Sequence, residues 1–230
     1  MGSHDDESTK TKDLVEGLHG NGKLPAKHLK ADTILYRVQG AKHSRADHFS
    51  APSEDLGRYN DPDGTMKVWY GAEHPTGALA ETFGREKASR RALGPVFSEA
   101  DLASRSMCEV KVTRDLKLLN LNAALSKLQI TLDEITGPEY ALTQEIVRTV
   151  SRLSENKFDG IAYKSRHHPD EHMCYALWIA PDDEPTVSEG VIKNLLEYTF
   201  YGYIPEIDDD QADAEEMLTE ILGIDITMDP

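Results

Sequence analysis

Apolar residues recur with two different periods between residues 33 and 180. Thr33-Ile34-Leu35-Tyr36-Arg37-Val38 alternates as a half-buried strand does, and residues 66–70, 108–113, 116–121, 158–164 and 173–180 are further short β-rich runs. Helical spacing takes over in three places. Pro75 opens a helix over 75–88, with Leu79 and Phe83 four apart on its core face. A short helix is predicted over 123–129, and a longer one over 138–156, with Leu142, Ile146, Val150 and Leu153 along one side. Strands and helices interleave irregularly, which predicts an α+β fold with a mixed β-sheet core and flanking helices.

The flanks read differently. Residues 1–30 are polar and broken by Gly17, Gly20, Gly22 and Pro25, predicting a flexible arm with one short helical attempt near Leu14. Residues 40–65 form a loop rich in Gly, Pro, Asp, Ser and His, and loops of that length in a compact domain are usually functional. Residues 191–230 form an acidic extension in which Met217, Leu218, Ile221 and Leu222 make one apolar helical stripe. The expected organisation is therefore an arm (1–30), a catalytic domain (31–190) and an acidic, partly helical extension (191–230).

Charge sharpens this picture. From Asn194 onward there are eleven acidic residues and no Lys or Arg, so that −11 of the net −16 lies in the tail and −5 is left for residues 1–193. Such a chain repels duplex nucleic acid and anionic membranes, and the expected partners are a small molecule or a protein. No run approaches the ~18 consecutive apolar residues of a membrane helix, and the N-terminus has no signal-like basic and apolar regions. Two cysteines, Cys108 and Cys174, are too few for a disulfide framework and fit a reducing, cytoplasmic setting.

Five separated segments carry residue types suited to one chemistry: Tyr36-Arg37, Gly57-Arg58-Tyr59-Asn60, Val68-Trp69-Tyr70, Ala78-Leu79-Ala80-Glu81 and Tyr163-Lys164-Ser165. Arginine presents a planar fork of donors that holds phosphate oxygens in pairs. Tyrosine offers a face for a base and a hydroxyl for a ribose. A carboxylate beside a sugar stabilises an oxocarbenium-like transition state. Gly77 and Ala78, one turn before Glu81, leave room for a ligand beside it.

With Leu118-Leu119-Asn120-Leu121, Gly160-Ile161-Ala162-Tyr163-Lys164-Ser165-Arg166 and Cys174-Tyr175-Ala176-Leu177-Trp178, these segments resemble the RES-domain family over about residues 33–180. Tyr59 stands where that family often has tryptophan, and both terminal extensions depart from its compact members. The resemblance implies a fold similar to ADP-ribosyltransferases and a toxin that acts on NAD as its substrate. It also implies restraint by a cognate antitoxin protein. Arg37, Glu81 and Ser165 would be catalytic, and Arg37, Arg58, Tyr59 and Tyr70 would bind NAD. Water, phosphate or a protein side chain could accept the ADP-ribose moiety, a homo-oligomer is possible, and a non-catalytic binding module is the alternative of another class.

Two other constellations carry less weight. His167, His168, His172 and Cys174 lie on one loop and strand edge without a second ligand pair at finger spacing, so no metal is expected. Ser165 lacks the Gly-x-Ser-x-Gly elbow of a Ser-His-Asp hydrolase, and neither a Walker loop nor a Gly-x-Gly-x-x-Gly fingerprint is present.

Overall fold

A computed structural model describes residues 3–49, 56–89, 97–155, 157–168, 172–180 and 183–228. The expected loop at 40–65 and the expected helix end at Asn156 fall partly outside these residues.

The strands run β1 (Ala26–Leu29), β2 (Ile34–Gly40), β3 (Lys67–Ala72), β4 (Phe97–Ser98), β5 (Arg105–Lys111), β6 (Leu116–Asn120), β7 (Gly160–Lys164), β8 (Met173–Ile179), β9 (Val191–Asn194), β10 (Thr199–Ile204), β11 (Asp209–Asp213) and β12 (Ile226–Thr227). Eight of them form one sheet in the order β1-β6-β7-β8-β3-β2-β5-β9, mixed because β6 and β7 are parallel while the other neighbours are antiparallel. The α+β class with a mixed sheet and flanking helices is thus present. Side chains alternate across the sheet. Tyr36, Val68, Ile161 and Ala176 enter one buried cluster with the helices, while Leu35, Trp69, Ala162 and Leu177 enter a second on the opposite face.

Local chemistry sets the helix starts. The helices in chain order are α1 (Ser3–Gly20), α2 (Pro75–Leu79), α3 (Arg85–Ser89), α4 (Glu99–Ala103), α5 (Leu121–Leu128), α6 (Leu132–Thr136), α7 (Ala141–Ser151) and α8 (Ala214–Glu216). Asn120 caps α5 by accepting the Ala123 N–H, and a reciprocal Thr131–Glu134 capping box starts α6. Helix α2 continues through a π turn, Ala80–Gly84, into α3. The helix expected from Pro138 begins later, at Ala141, because Gly137 and Thr136 turn their carbonyls to the Arg58 guanidinium instead of to a helix.

Both flanks differ from the sequence expectation. Residues 3–20 form a helix rather than a loose arm, with Thr11 and Val15 buried one turn apart against α5 and α7, and β1 pairs with β6. Tertiary burial overrides the weak propensity of Gly17, whose missing side chain faces open space. The acidic extension is likewise built into the core. Strand β9 pairs with β5, β12 pairs with β4, and Tyr198, Ile204, Ala212, Met217, Leu218 and Ile224 are buried in the same cluster as Leu79 and Phe83. The Thr76 hydroxyl donates to Met217 Sδ at 3.7 Å, and Lys87 Nζ donates to the Gly223 carbonyl at 2.7 Å. Among the described residues both flanks thus pair and pack with elements between residues 31 and 190. The stripe Met217, Leu218, Ile221 and Leu222 seals the core while its acids stay in water.

This packing makes a quantitative expectation. Leu218→Ala, at a fully buried site, lowers unfolding free energy by about 2–5 kcal/mol in urea titration. A tail that served only as a solvated appendage would show less than about 0.5 kcal/mol.

Candidate active site

The sheet comes apart where the chemistry lies. Strands β2 and β3 meet only at Tyr36 and Ala72, whereas β2 matches β5 along seven residues and β3 matches β8 along six. Past that single pair the strands diverge, and a cavity of about 650 Å³ opens between Arg37 and Val38 on one side and Tyr70 and Gly71 on the other. Its volume is within the ~300–1,000 Å³ range of small-molecule sites. A Cβ at Gly71 would lie 2.9 Å from the Tyr36 carbonyl and nearer still to the Trp69 ring, so only glycine allows the strands to approach there before they part.

Arg37 projects from β2 into this opening. One Nη donates to the His48 carbonyl at 2.6 Å, and the guanidinium carbon lies 5.9 Å from the centre of the Trp69 ring. Burial pulls its pKa below the usual guanidinium value. Among the described residues it has no carboxylate partner, so its charge is held by a carbonyl and a ring face and remains available to an anion.

The Gly57–Asn60 turn forms a second wall. Tyr70 holds it: its hydroxyl accepts the Tyr59 N–H at 3.0 Å and donates to Asn60 Oδ1 at 2.7 Å. A Cβ at Gly57 would sit 2.8 Å from that same Oδ1 and 2.9 Å from the Tyr70 hydroxyl, which accounts for the glycine. Arg58 reaches across to α6. It donates to the carbonyls of Ile135, Thr136 and Gly137 and lies 4.4 Å over the Tyr140 ring. It therefore closes the C-terminal end of α6 with its Nη groups while its charge lines the cavity.

Glu81 lies in the π turn, a local widening that often marks functional positions. Ala78, Glu81, Thr82 and Arg85 line the cavity from one helix face, with Leu79 and Phe83 fully buried behind. Glu81 Oε2 accepts a hydrogen bond from the Tyr163 hydroxyl at 3.1 Å. The Tyr163 ring packs on Tyr59 at 4.5 Å, and burial raises the pKa of Tyr59, Tyr70 and Tyr163 so that all three phenols stay protonated donors.

Ser165 is placed differently from the others. It is buried, and its Oγ accepts the His167 N–H at 3.1 Å, an i to i+2 serine turn that sets Arg166 and His167 on the cavity wall. The structure thus brings Arg37, Arg58, Tyr59, Tyr70 and Glu81 around one cavity, with Ser165 directly behind its rim. Sequence reading placed Tyr163 in a candidate segment without giving it a role, and did not nominate Tyr140 or Arg85. Arg85 was within reach, being four residues after Glu81 on the same face. Tyr140 was not, because its contact with Arg58 spans a separation that only the fold closes.

Both the family and the fold have counterparts among known proteins. A RES domain model matches residues 34–199. The chain belongs to the RES-domain family. That match takes in all six residues named above and runs past the expected boundary at residue 190 into β9 and the start of β10. Among solved structures, a chain of the crystal structure of the M. tuberculosis MbcT–MbcA toxin–antitoxin complex superposes with a TM-score of 0.55 at 16% identity, covering 80% of this RES protein and 92% of that chain. No protein with a curated description matches it.

His74 supplies a pH prediction for the base of the Glu81 helix. Its Nδ1 accepts the Thr76 N–H, its ring stacks on His172 at 4.2 Å and meets Phe200 edge-on, and burial followed by His172 and His168 lowers its pKa from 6.5 to about 4. A histidine with a depressed folded pKa binds its proton more readily when unfolded. Its contribution is therefore complete above pH 6.5 and is lost as pH falls toward 4. His74→Asn retains the cap but cannot titrate, so its melting temperature falls less than the parent's between pH 6.5 and 4 in calorimetry.

Proposed function

We propose that this RES-domain chain is the toxin of a toxin–antitoxin pair and that it consumes NAD by cleaving the nicotinamide–ribose bond. The observation that carries the reading is electrostatic. On a protein of net charge −16, one cavity gathers, among the described residues, Arg37, Arg58, Arg85, Lys164 and Arg166 around a single carboxylate, Glu81. A cationic cavity in an acidic chain selects an anionic small molecule, and tyrosine faces beside the arginines suit a base and a ribose.

Arg37 supplies the fork for phosphate oxygens, and Arg58 adds fixed positive charge from the end of α6. Tyr59 and Tyr70 shape the wall against which a base or nicotinamide rests. Nicotinamide in NAD is already cationic, so the bonding electron pair leaves with it and no general acid is required. Positive charge then grows on the ribose, and Glu81, the only carboxylate among the described residues of this wall, opposes it. Ser165 orients the Arg166–His167 segment. The acceptor attacks the same ribose carbon and releases its proton to solvent.

The reading carries with it the ADP-ribosyltransferase-like fold implied by the family resemblance. A split mixed sheet with the cavity in the split is compatible with that fold. It also includes a cytoplasmic location and a cognate antitoxin, since an unrestrained NAD-consuming enzyme harms its host. The presence of a toxin–antitoxin complex among the structures that resemble this fold supports the partner. No helix among the described residues is long and apolar enough to cross a membrane.

Incubation with NAD labelled in its adenylate half tests the activity. Free ADP-ribose identifies water as acceptor, its phosphorylated form identifies phosphate, label on a protein identifies ADP-ribosyl transfer, and intact NAD overturns the reading. Glu81→Gln lowers turnover at least ~100-fold while NAD binding changes much less. Arg37→Lys keeps the charge but loses the paired donors, and weakens NAD binding by about 1–3 kcal/mol in calorimetric titration.

A further inference from the structure

Glu81 has two oxygens and competing places to put them. Arg85 lies four residues along the same helix face, the spacing at which a glutamate and an arginine attract one another. A Glu81–Arg85 pair would draw the carboxylate along the helix and neutralise both charges. The structure shows another arrangement. Glu81 Oε2 takes the Tyr163 hydroxyl at 3.1 Å, and among the described residues the Arg85 guanidinium has no hydrogen-bond or ion-pair partner, its backbone N–H going to the Thr82 carbonyl.

Tyr163 is itself immobilised on three sides. It is 5% exposed, it sits opposite Cys174 in the β7–β8 ladder, and its ring rests on Tyr59, whose backbone is tied to the Tyr70 hydroxyl. The donor thus comes from a rigid strand across the cavity, while the acceptor is carried on a flexible side chain. Burial keeps the phenol protonated, so it has a hydrogen to give.

We propose that Tyr163 is the positioning residue of this site: its hydroxyl fixes one oxygen of Glu81, aims the carboxylate into the cavity and prevents it from collapsing onto Arg85. This rests on the NAD-cleaving reading for its catalytic consequence, but the contact can be tested without it. The ordering leaves both charges separately available, Glu81 to a cationic centre and Arg85 to an anion at the rim.

Tyr163→Phe removes only the hydroxyl and keeps the ring on Tyr59. With folding verified by circular dichroism, kcat for NAD consumption falls at least ~10-fold, on the scale of losing one hydrogen bond to a charged group, while KM stays within about threefold. A role confined to stability leaves kcat per folded molecule unchanged, and that result overturns the proposal. Tyr163→Met provides a second variant without the hydroxyl should the first not fold. The contact itself is read from melting temperatures of Tyr163→Phe, Glu81→Ala and the double variant. The proposal requires the double variant to lose clearly less than the two single losses added together, and strict additivity overturns it. A parent that leaves NAD intact removes the NAD reading, and the melting cycle then still decides whether Tyr163 holds Glu81.

Discussion

Everything at the cavity depends on two neighbouring strands that pair at a single position. Tyr36 and Ala72 form the hinge of a split sheet, and the backbones of β2 and β3 separate beyond it. A fully paired sheet would bring Arg37 and Val38 against Gly71 and Tyr70 and leave no cavity between them. The split is stable because each strand is well paired on its far side, β2 with β5 and β3 with β8. The backbone groups that the split leaves unpaired between the two strands need solvent or a ligand as partners.

That geometry explains how so many cations share one place. Like charges repel most strongly where water is scarce, so the less exposed arginines, Arg37 and Arg58, need partners that hold them in place. Arg37 has a carbonyl and an indole face, Arg58 has the carbonyls at the end of α6 and the Tyr140 ring, and Arg166 donates to the Thr136 carbonyl at 2.7 Å. Neutral acceptors hold these side chains in place without cancelling their charge. Carboxylates hold other arginines of the protein, as in the Arg105–Glu86 and Arg114–Asp159 pairs. The contrast separates arginines whose charge stays uncancelled from arginines whose charge is paired.

The Glu81 helix is gripped on both sides. Its cavity face meets Tyr163, and its buried face packs through Leu79 and Phe83 on a core to which the C-terminal segment contributes Met217 and Leu218. The acidic extension is thus part of the support for the carboxylate, although none of its described residues lines the cavity. Its acids face water, and its apolar stripe faces Thr76 and the first turn of α2.

The α+β class, six of the eight strands of the large sheet and the Pro75 helix were legible in the sequence because apolar periods of two and of about 3.6 report which face of an element is buried. Arg37, Arg58, Tyr59, Tyr70 and Glu81 could be named because arginine, aromatic and carboxylate chemistry sits in family-like segments, and the helical period alone placed Glu81 opposite Leu79 and Phe83. Tertiary structure decided the rest. Glycines at 17 and 20 made residues 1–30 look loose, yet burial of Thr11 and Val15 outweighs a propensity cost of about 1 kcal/mol per glycine. Acidity made residues 191–230 look separate, because charge is read from every residue whereas packing depends on the few that face inward. The strand split, the bond from Tyr163 to Glu81 and the reach of Arg58 to α6 join residues 36 to 82 positions apart. No local pattern encodes such contacts, since they exist only once the sheet has set which strands lie side by side.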